Sequence, residues 1–535
     1  MDSLGIMFGT VGVKPLVLVM LDGWGIRAER EGNALAHART PVYDRLAGSY
    51  PHTVLTASGP AVGLAPGKPG NAASNYLTLG AGAPIEQDVA RINRAIQDDG
   101  PRGLAANPTL QKLIQRVRPL GGAVHLIGMV SPGDVAGHQN HLAVLAALLS
   151  HEGLKVFVHG ITDGIDASPQ SGILNVSEWL DDVAGAEHVH LASLTGRALA
   201  FDETADAASL KTVWKAIADA DAPRTEYLST HLDQCYAKGL NDDRVPPAIS
   251  LNYRGIRRDD AVFLVNLRPD LGARMMQELI ESETGAMLSS VVSLFPLDGA
   301  GLDWVEPLFA HRPVPVTFAE TMSQAGRRQL LLTESMVEKN LSLFWRGGIN
   351  RIYDGETLAL AETPLAKMEK RPDLAAADLT IEAMNAIKQG ERDFLLVNFA
   401  NVALLGRTGN MRATIDAAEA IDKYLGKIAA QVEKRGLTMA ITSAFGRGEM
   451  MTDPDKGTDW RGPTTSNMPF TLVGPNLKQT GSNAGLRYGT LADVAPTLLA
   501  LMNVAAPAAM TGRSLLAPAD AYEPASSERP NSVPA

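Results

Sequence analysis

The chain has 535 residues, 45% of them hydrophobic and 20% charged, a composition that supports more than one packed core and excludes a disordered chain or a mini-protein. Lys and Arg number 48 against 59 Asp and Glu, a formal net charge of −11, so there is neither the basic footprint of a nucleic-acid binder nor a polybasic membrane patch. Cys235 is the one cysteine, which excludes internal disulfides and Cys-ligated metal clusters and points to a reducing, cytoplasmic compartment.

Residues 1–14 read as an N-terminal extension and a poor secretory signal, because no Lys or Arg precedes the apolar stretch. Apolar runs of strand length follow at Pro15–Asp22, Ala123–Ser131, Lys155–Thr162, Val189–Thr195, Ala261–Leu267, Gln329–Glu334, Asp393–Asn401, Leu437–Ala444 and Met468–Gly474. Between them Asn140–His151, Ala413–Arg435 and Leu491–Asn503 carry apolar residues at spacings of three and four, which predicts helices. In Ala413–Arg435 the stripe is Ile415, Ala418, Ile421, Leu425, Ile428 and Val432, with Asp416, Glu419, Asp422, Lys423 and Lys427 on the solvated face. This alternation predicts an α/β fold with largely parallel sheets. The Pro-, Ser- and Glu-rich stretch 521–535 reads as a disordered tail. No uncharged apolar run reaches the roughly 20 residues that span a bilayer. Eleven histidines are present, none after His311, so a metal or acid–base site in the last part of the chain must do without imidazole.

Several strands end in short polar or Gly-rich turns, the position at which open α/β sheets hold ligands. Leu21-Asp22-Gly23-Trp24-Gly25, Ala57-Ser58-Gly59-Pro60-Ala61-Val62-Gly63-Leu64 and Leu79-Gly80-Ala81-Gly82 occur in the first part of the chain. Asp163-Gly164, Thr195-Gly196-Arg197, Asn266-Leu267-Arg268-Pro269-Asp270, Asn398-Phe399-Ala400-Asn401, Gly406-Arg407-Thr408-Gly409 and Asp493-Val494-Ala495-Pro496-Thr497 follow in order. Together they make a chain that resembles the cofactor-independent (2,3-bisphosphoglycerate-independent) phosphoglycerate mutases from about residue 15 to 517. The resemblance implies an alkaline-phosphatase-like three-layer α/β domain formed by both chain ends, 15–87 plus 319–520. It also implies a second α/β, phosphotransferase-like domain inserted at 88–318. In that family a serine carries the phosphoryl group while two divalent ions, usually Mn²⁺, activate it and neutralise developing charge.

The residues that such chemistry needs depart from the family pattern. Ala72 stands where the nucleophilic serine belongs, in Gly70-Asn71-Ala72-Ala73-Ser74-Asn75-Tyr76. Expected metal ligands are replaced by Ala403, Arg407, Ala444, Phe445 and about Pro463, so Asp22 alone of the set is kept. A single carboxylate does not make a tight Mn²⁺ site. In the inserted region Asp166, Arg197 and Arg268 match substrate-contacting positions, whereas the family's further arginine, histidine and interdomain lysine fall at Leu271, Ala136 and Val337; Arg274 lies one turn beyond Leu271.

Other candidates have ordinary explanations. Ser74 reads as a locally hydrogen-bonded hydroxyl, Lys68 as a turn lysine, His138 and His141 as capping or core residues, and Cys235 as a small buried side chain. Arg407 and Arg447 could pair with a carboxylate or hold an anion. The reading that follows is an inactive mutase-like protein with no cofactor. It would act by binding a protein partner or by sensing a phosphorylated small molecule through Arg197, Arg268 and Arg407, without nucleic acid or membrane. The alternative is an active Mn²⁺-dependent mutase or phosphatase with a rearranged site.

Overall fold

Leu16–Leu21 is buried at every position, as an all-apolar strand must be when both faces of its sheet are covered. In the computed structural model it pairs in parallel with Phe394–Phe399 on one side and Thr438–Thr442 on the other. The model describes residues 15–516 except 134, 202–204, 281, 283, 298, 300, 311–313, 455–456, 476 and 478–485; the expectations for 1–14 and 521–535 lie outside the described residues. Two compact units form, Met1–Gln87 with Pro313–Ala535, and Asp88–Arg312.

In the first unit the sheet runs Glu356–Ala361, Gln329–Glu334, Phe394–Phe399, Leu16–Leu21, Thr438–Thr442, Met468–Val473, His52–Thr56 and Gly489–Thr490. Met468–Val473 is antiparallel to both its neighbours. The helix Met411–Arg435 buries Ala418, Ile421, Leu425, Ile428 and Val432 of the expected stripe, while Ile415 is half-buried. Asp422, expected on the wet face, is buried instead. Its carboxylate accepts the backbone N–H groups of Val42 at 3.1 Å and Tyr43 at 2.7 Å, capping the helix Pro41–Ser49, whose own N-cap residue supplies no side-chain bond.

In the second unit the order is Glu306–Pro307, Ser290–Ser293, Ala261–Val265, Ala123–Met129, Lys155–Thr162, Val189–Gly196, Ala248–Ser250 and Arg224–Thr225. A buried polar row crosses this otherwise apolar core. His125 Nε2 lies 3.1 Å from Asp260 Oδ2, His125 Nδ1 3.1 Å from His159 Nε2, and His159 Nδ1 2.8 Å from Ser193 Oγ. With both imidazoles neutral and protonated at Nε2, every contact in the row has one donor and one acceptor. Burial holds both histidines below their ordinary range, His159 well below. Among the described residues no helix is long and apolar enough to cross a membrane.

Candidate functional site

The chain leaves the central strand at Asp22, where three strand ends meet. Asp22 N–H donates to Phe399 O at 3.0 Å, Gly23 N–H to Phe445 O at 2.9 Å, and Ala403 N–H to Asp22 O at 3.0 Å. Gly23 has φ +88°, and a Cβ there would lie 2.5 Å from Ala403 N, so only glycine permits this approach. The site is therefore set by backbone, independently of what the side chains do.

Asp22 is 1% exposed. Tyr76 Oη donates to both its carboxylate oxygens, at 3.1 and 2.9 Å, and Asn340 Nδ2 lies 3.3 Å from Oδ2. Burial pushes the Asp22 carboxyl up to about 6, and the Tyr76 bond, with smaller hydrogen-bond contributions, limits the rise. Tyr76 is itself buried beside that carboxylate and stays a protonated donor. It reaches the site from the helix Ala72–Ala81, which begins at the capping box of Asn71 and Ser74. Ala72, in the first turn, presents only a methyl group. Ser74 is sealed in the box, its Oγ accepting from Asn71 N–H at 3.0 Å and donating to Asn75 Oδ1 at 2.8 Å.

Ala403, Ala444 and Phe445 are buried at the neighbouring strand ends. Pro463 receives the indole N–H of Trp460 on its carbonyl at 3.2 Å. Among the described residues no three His, Cys, Asp or Glu side chains converge as a metal site. A pair of divalent cations does not fit this donor set. Of the expected ligand positions only Asp22 keeps a carboxylate, and Ala403, Arg407, Ala444 and Phe445 add no oxygen or imidazole donor beside it. Arg447 packs over Phe445, its Cζ 5.5 Å from the ring centroid, and donates to Ala403 O at 2.8 Å. Burial, then the Arg407 charge, lowers its guanidinium to about 10.

Two residues that the sequence did not single out complete the rim. Asn340 lies in a one-turn π-helical stretch, Asn340–Phe344, a deviation invisible to a period of three and four. Glu334, last in its strand, is wholly buried, and burial pushes it up to about 7 against weak hydrogen bonding from Thr363 and the Ala375 N–H. Val337 packs against Leu374, Ala400 and Leu404.

In the second unit Arg197 is buried between two carboxylates, donating to Asp163 Oδ1 at 3.0 Å and to Asp166. Ser131 Oγ donates to Asp163 Oδ2 at 2.7 Å. Arg268 forms a two-pronged pair with Asp270 at 2.8 and 2.7 Å. Arg274 donates to Ala205 O, while Leu271 and Ala136 are core residues. His138 caps its helix by accepting from Asn140 N–H at 3.1 Å, and His141 Nε2 lies 2.7 Å from Asn93 Oδ1, so neither is a metal ligand here. Cys235 is buried and Lys68 exposed.

A family model described as the metalloenzyme superfamily matches residues 14–506. A 2,3-bisphosphoglycerate-independent phosphoglycerate mutase of Rhodopseudomonas palustris is 34% identical over 511 residues, covering 94% of this chain and 99% of its own length. The chain belongs to the 2,3-bisphosphoglycerate-independent phosphoglycerate mutase family. The mutase of Roseobacter denitrificans is 33% identical over 512 residues, with 94% and 99% covered. The crystal structure of Leishmania mexicana phosphoglycerate mutase at low cobalt concentration superposes with a TM-score of 0.80 at 24% identity, covering 95% of this chain and 98% of that one; at that identity it speaks for the α/β fold alone.

Two expectations are corrected by these matches. A protein that acts only by binding is overturned by near-full-length similarity to proteins named as mutases. The expectation of no cofactor is overturned by membership in a metalloenzyme superfamily. Both had been argued from missing side chains at family positions, and that reasoning does not see which other groups the fold brings to the same strand ends. The misfit between this donor set and a metal pair is a property of those side chains.

Proposed function

We propose that this chain is a phosphoglycerate mutase, interconverting 3- and 2-phosphoglycerate, whose site has been rearranged around the strand ends at Asp22, Ala403 and Phe445. The observation that carries the reading is the 34% identity to a mutase over 94% of the chain. In this reading Asp166, Arg197 and Arg268 contact the substrate. Arg197 suits that role because its Nε is buried without a partner although its Nη1 is paired, leaving a donor for a carboxylate or phosphate oxygen. Asp22, raised to about 6, holds or releases a proton near neutral pH, the range in which a general acid–base group is effective. Ala72 cannot carry a phosphoryl group, and the buried, doubly bonded Ser74 is not its replacement. The single cysteine supports placing this activity in the cytoplasm.

The test is a coupled assay of 2-phosphoglycerate formation from 3-phosphoglycerate, with purified full-length protein, at pH 6 to 8, with and without Mn²⁺. Turnover lost in Asp22→Asn and in Arg197→Gln is the expected result. No turnover above the uncatalysed background under any of these conditions would refute the proposal.

A further inference from the structure

Arg447 follows the strand Thr438–Thr442 and Arg407 is the C-cap residue of the short helix Asn401–Gly406, whose Gly406 the Arg447 side chain lies along; the charges of Asp22 and Glu449 act on Arg447 from beyond ion-pair distance. Among the described residues no carboxylate lies within ion-pair distance of either guanidinium, although most other partly buried arginines of this chain, such as Arg197, Arg346 and Arg487, have one. Arg447 is part-buried, lies flat along Gly406, where a Cβ would come within 3.0 Å of its Cγ, and spends one donor on Ala403 O. Its Nε is sealed from solvent and has no partner. Arg407 is exposed beside it, close enough for its charge to lower the Arg447 pKa. Two like charges side by side repel, and although Asp22 and Glu449 offset part of the Arg447 charge, the exposed Arg407 leaves room for an anion to complete the pair.

Helix capping alone does not account for this. Arg447 does cap the short helix Asn401–Gly406 through Ala403 O, which uses one of its five N–H donors. Capping leaves the buried Nε unsatisfied and gives Arg407 no role. Glu449, the nearest carboxylate in sequence, accepts from Gly25 N–H at 3.1 Å and from Thr464, and it acts on Arg447 only from beyond ion-pair distance.

We infer that Arg407 and Arg447 form an anion site for a phosphate monoester or inorganic phosphate, in which guanidinium charge does the work that divalent cations do elsewhere in the family. Guanidinium forks match phosphate oxygens two at a time, and the C-terminal ends of parallel strands are where such sheets take ligands. The site therefore binds phosphate without metal.

Thermal unfolding of the full-length protein in rising inorganic phosphate tests this, with and without EDTA, against sodium chloride at matched ionic strength. A ligand that binds only the native state raises the melting temperature in a saturable way. The expected result is a saturable rise with phosphate, unchanged by EDTA, with apparent affinity at least tenfold weaker in Arg447→Met and in Arg407→Gln. Arg407 is exposed, so its variant folds even if loss of the Arg447 cap does not allow that one to. The inference is overturned if phosphate acts no differently from chloride, if EDTA abolishes the effect, or if Arg407→Gln keeps wild-type affinity. Phosphate binding without turnover would retain this site and remove the mutase reading, and turnover without a phosphate effect would do the reverse.

Discussion

Replacing Asp22 with Asn keeps the shape of the side chain and the Tyr76 contact while removing a charge from a dry pocket. Asp22 is 1% exposed, and burial raises its carboxyl from 3.8 to about 6. A folded pKa above the unfolded one means that the native state binds the proton more tightly. Stability from this group is therefore present below 3.8 and lost as pH rises through about 6. The shift corresponds to about 3 kcal/mol at pH 7.5, falling to about 1 kcal/mol at pH 4.5. Asp22→Asn should accordingly be more stable than wild type at pH 7.5 by up to that amount. At about 1.5 °C per kcal/mol for a unit of this size, its transition should rise by about 5 °C. Differential scanning calorimetry of both proteins from pH 4.5 to 7.5 measures the gap, which should narrow as pH falls. A variant less stable than wild type at pH 7.5, or a gap independent of pH, would show that Asp22 is held ionised, by a cation or by Arg447, and would refute the reasoning. Turnover should be lost in the same variant, the usual exchange of stability for function at a strained site.

Arg346, 1% exposed, donates through Nε to Glu356 at 2.8 Å; Arg346→Met should cost about 3 to 5 kcal/mol in urea unfolding by stranding that carboxylate, and Arg346→Met with Glu356→Leu should recover most of it. Gly23→Ala, at φ +88° and facing Ala403 N, should cost about 2 kcal/mol and displace the Ala403 turn, read as a loss of turnover larger than the stability loss explains. His125 and His159 have folded pKa values below 6.5, so their contribution is present above 6.5 and lost as pH falls beneath it. The second unit's calorimetric transition should drop between pH 6.5 and 5, and His159→Gln should flatten that drop whatever it does to the absolute value.

Each strand read from the sequence is present, most with ends trimmed by a residue or two and Val189–Gly196 one residue longer, because uninterrupted apolar runs have few alternatives to a doubly covered sheet. The strands that were not read, such as His52–Thr56, Ser290–Ser293 and Glu356–Ala361, lie away from the sheet centres, are short or carry polar residues, and take their partners from distant residues. Asp422 shows the limit of helical periodicity, since a charge on the expected wet face is buried once another helix offers unpaired N–H groups. The rim residues Asn340 and Glu334 had no local signal. One depends on a π-helical turn and the other on burial at a strand end, neither of which sequence spacing encodes.

By itself the sequence determined the α/β class and the family, because apolar periodicity, turn glycines and motif residues are properties of the chain read locally and in order. The absence of histidine after His311 belongs with these, and it led to the expectation of a protein without chemistry. Tertiary structure alone decided what surrounds these positions: Tyr76 and Asn340 on Asp22, and Arg447 over Phe445. Desolvation and like-charge proximity depend on distances between residues tens to hundreds of positions apart, and those quantities set the pKa of Asp22 and the charge of the site.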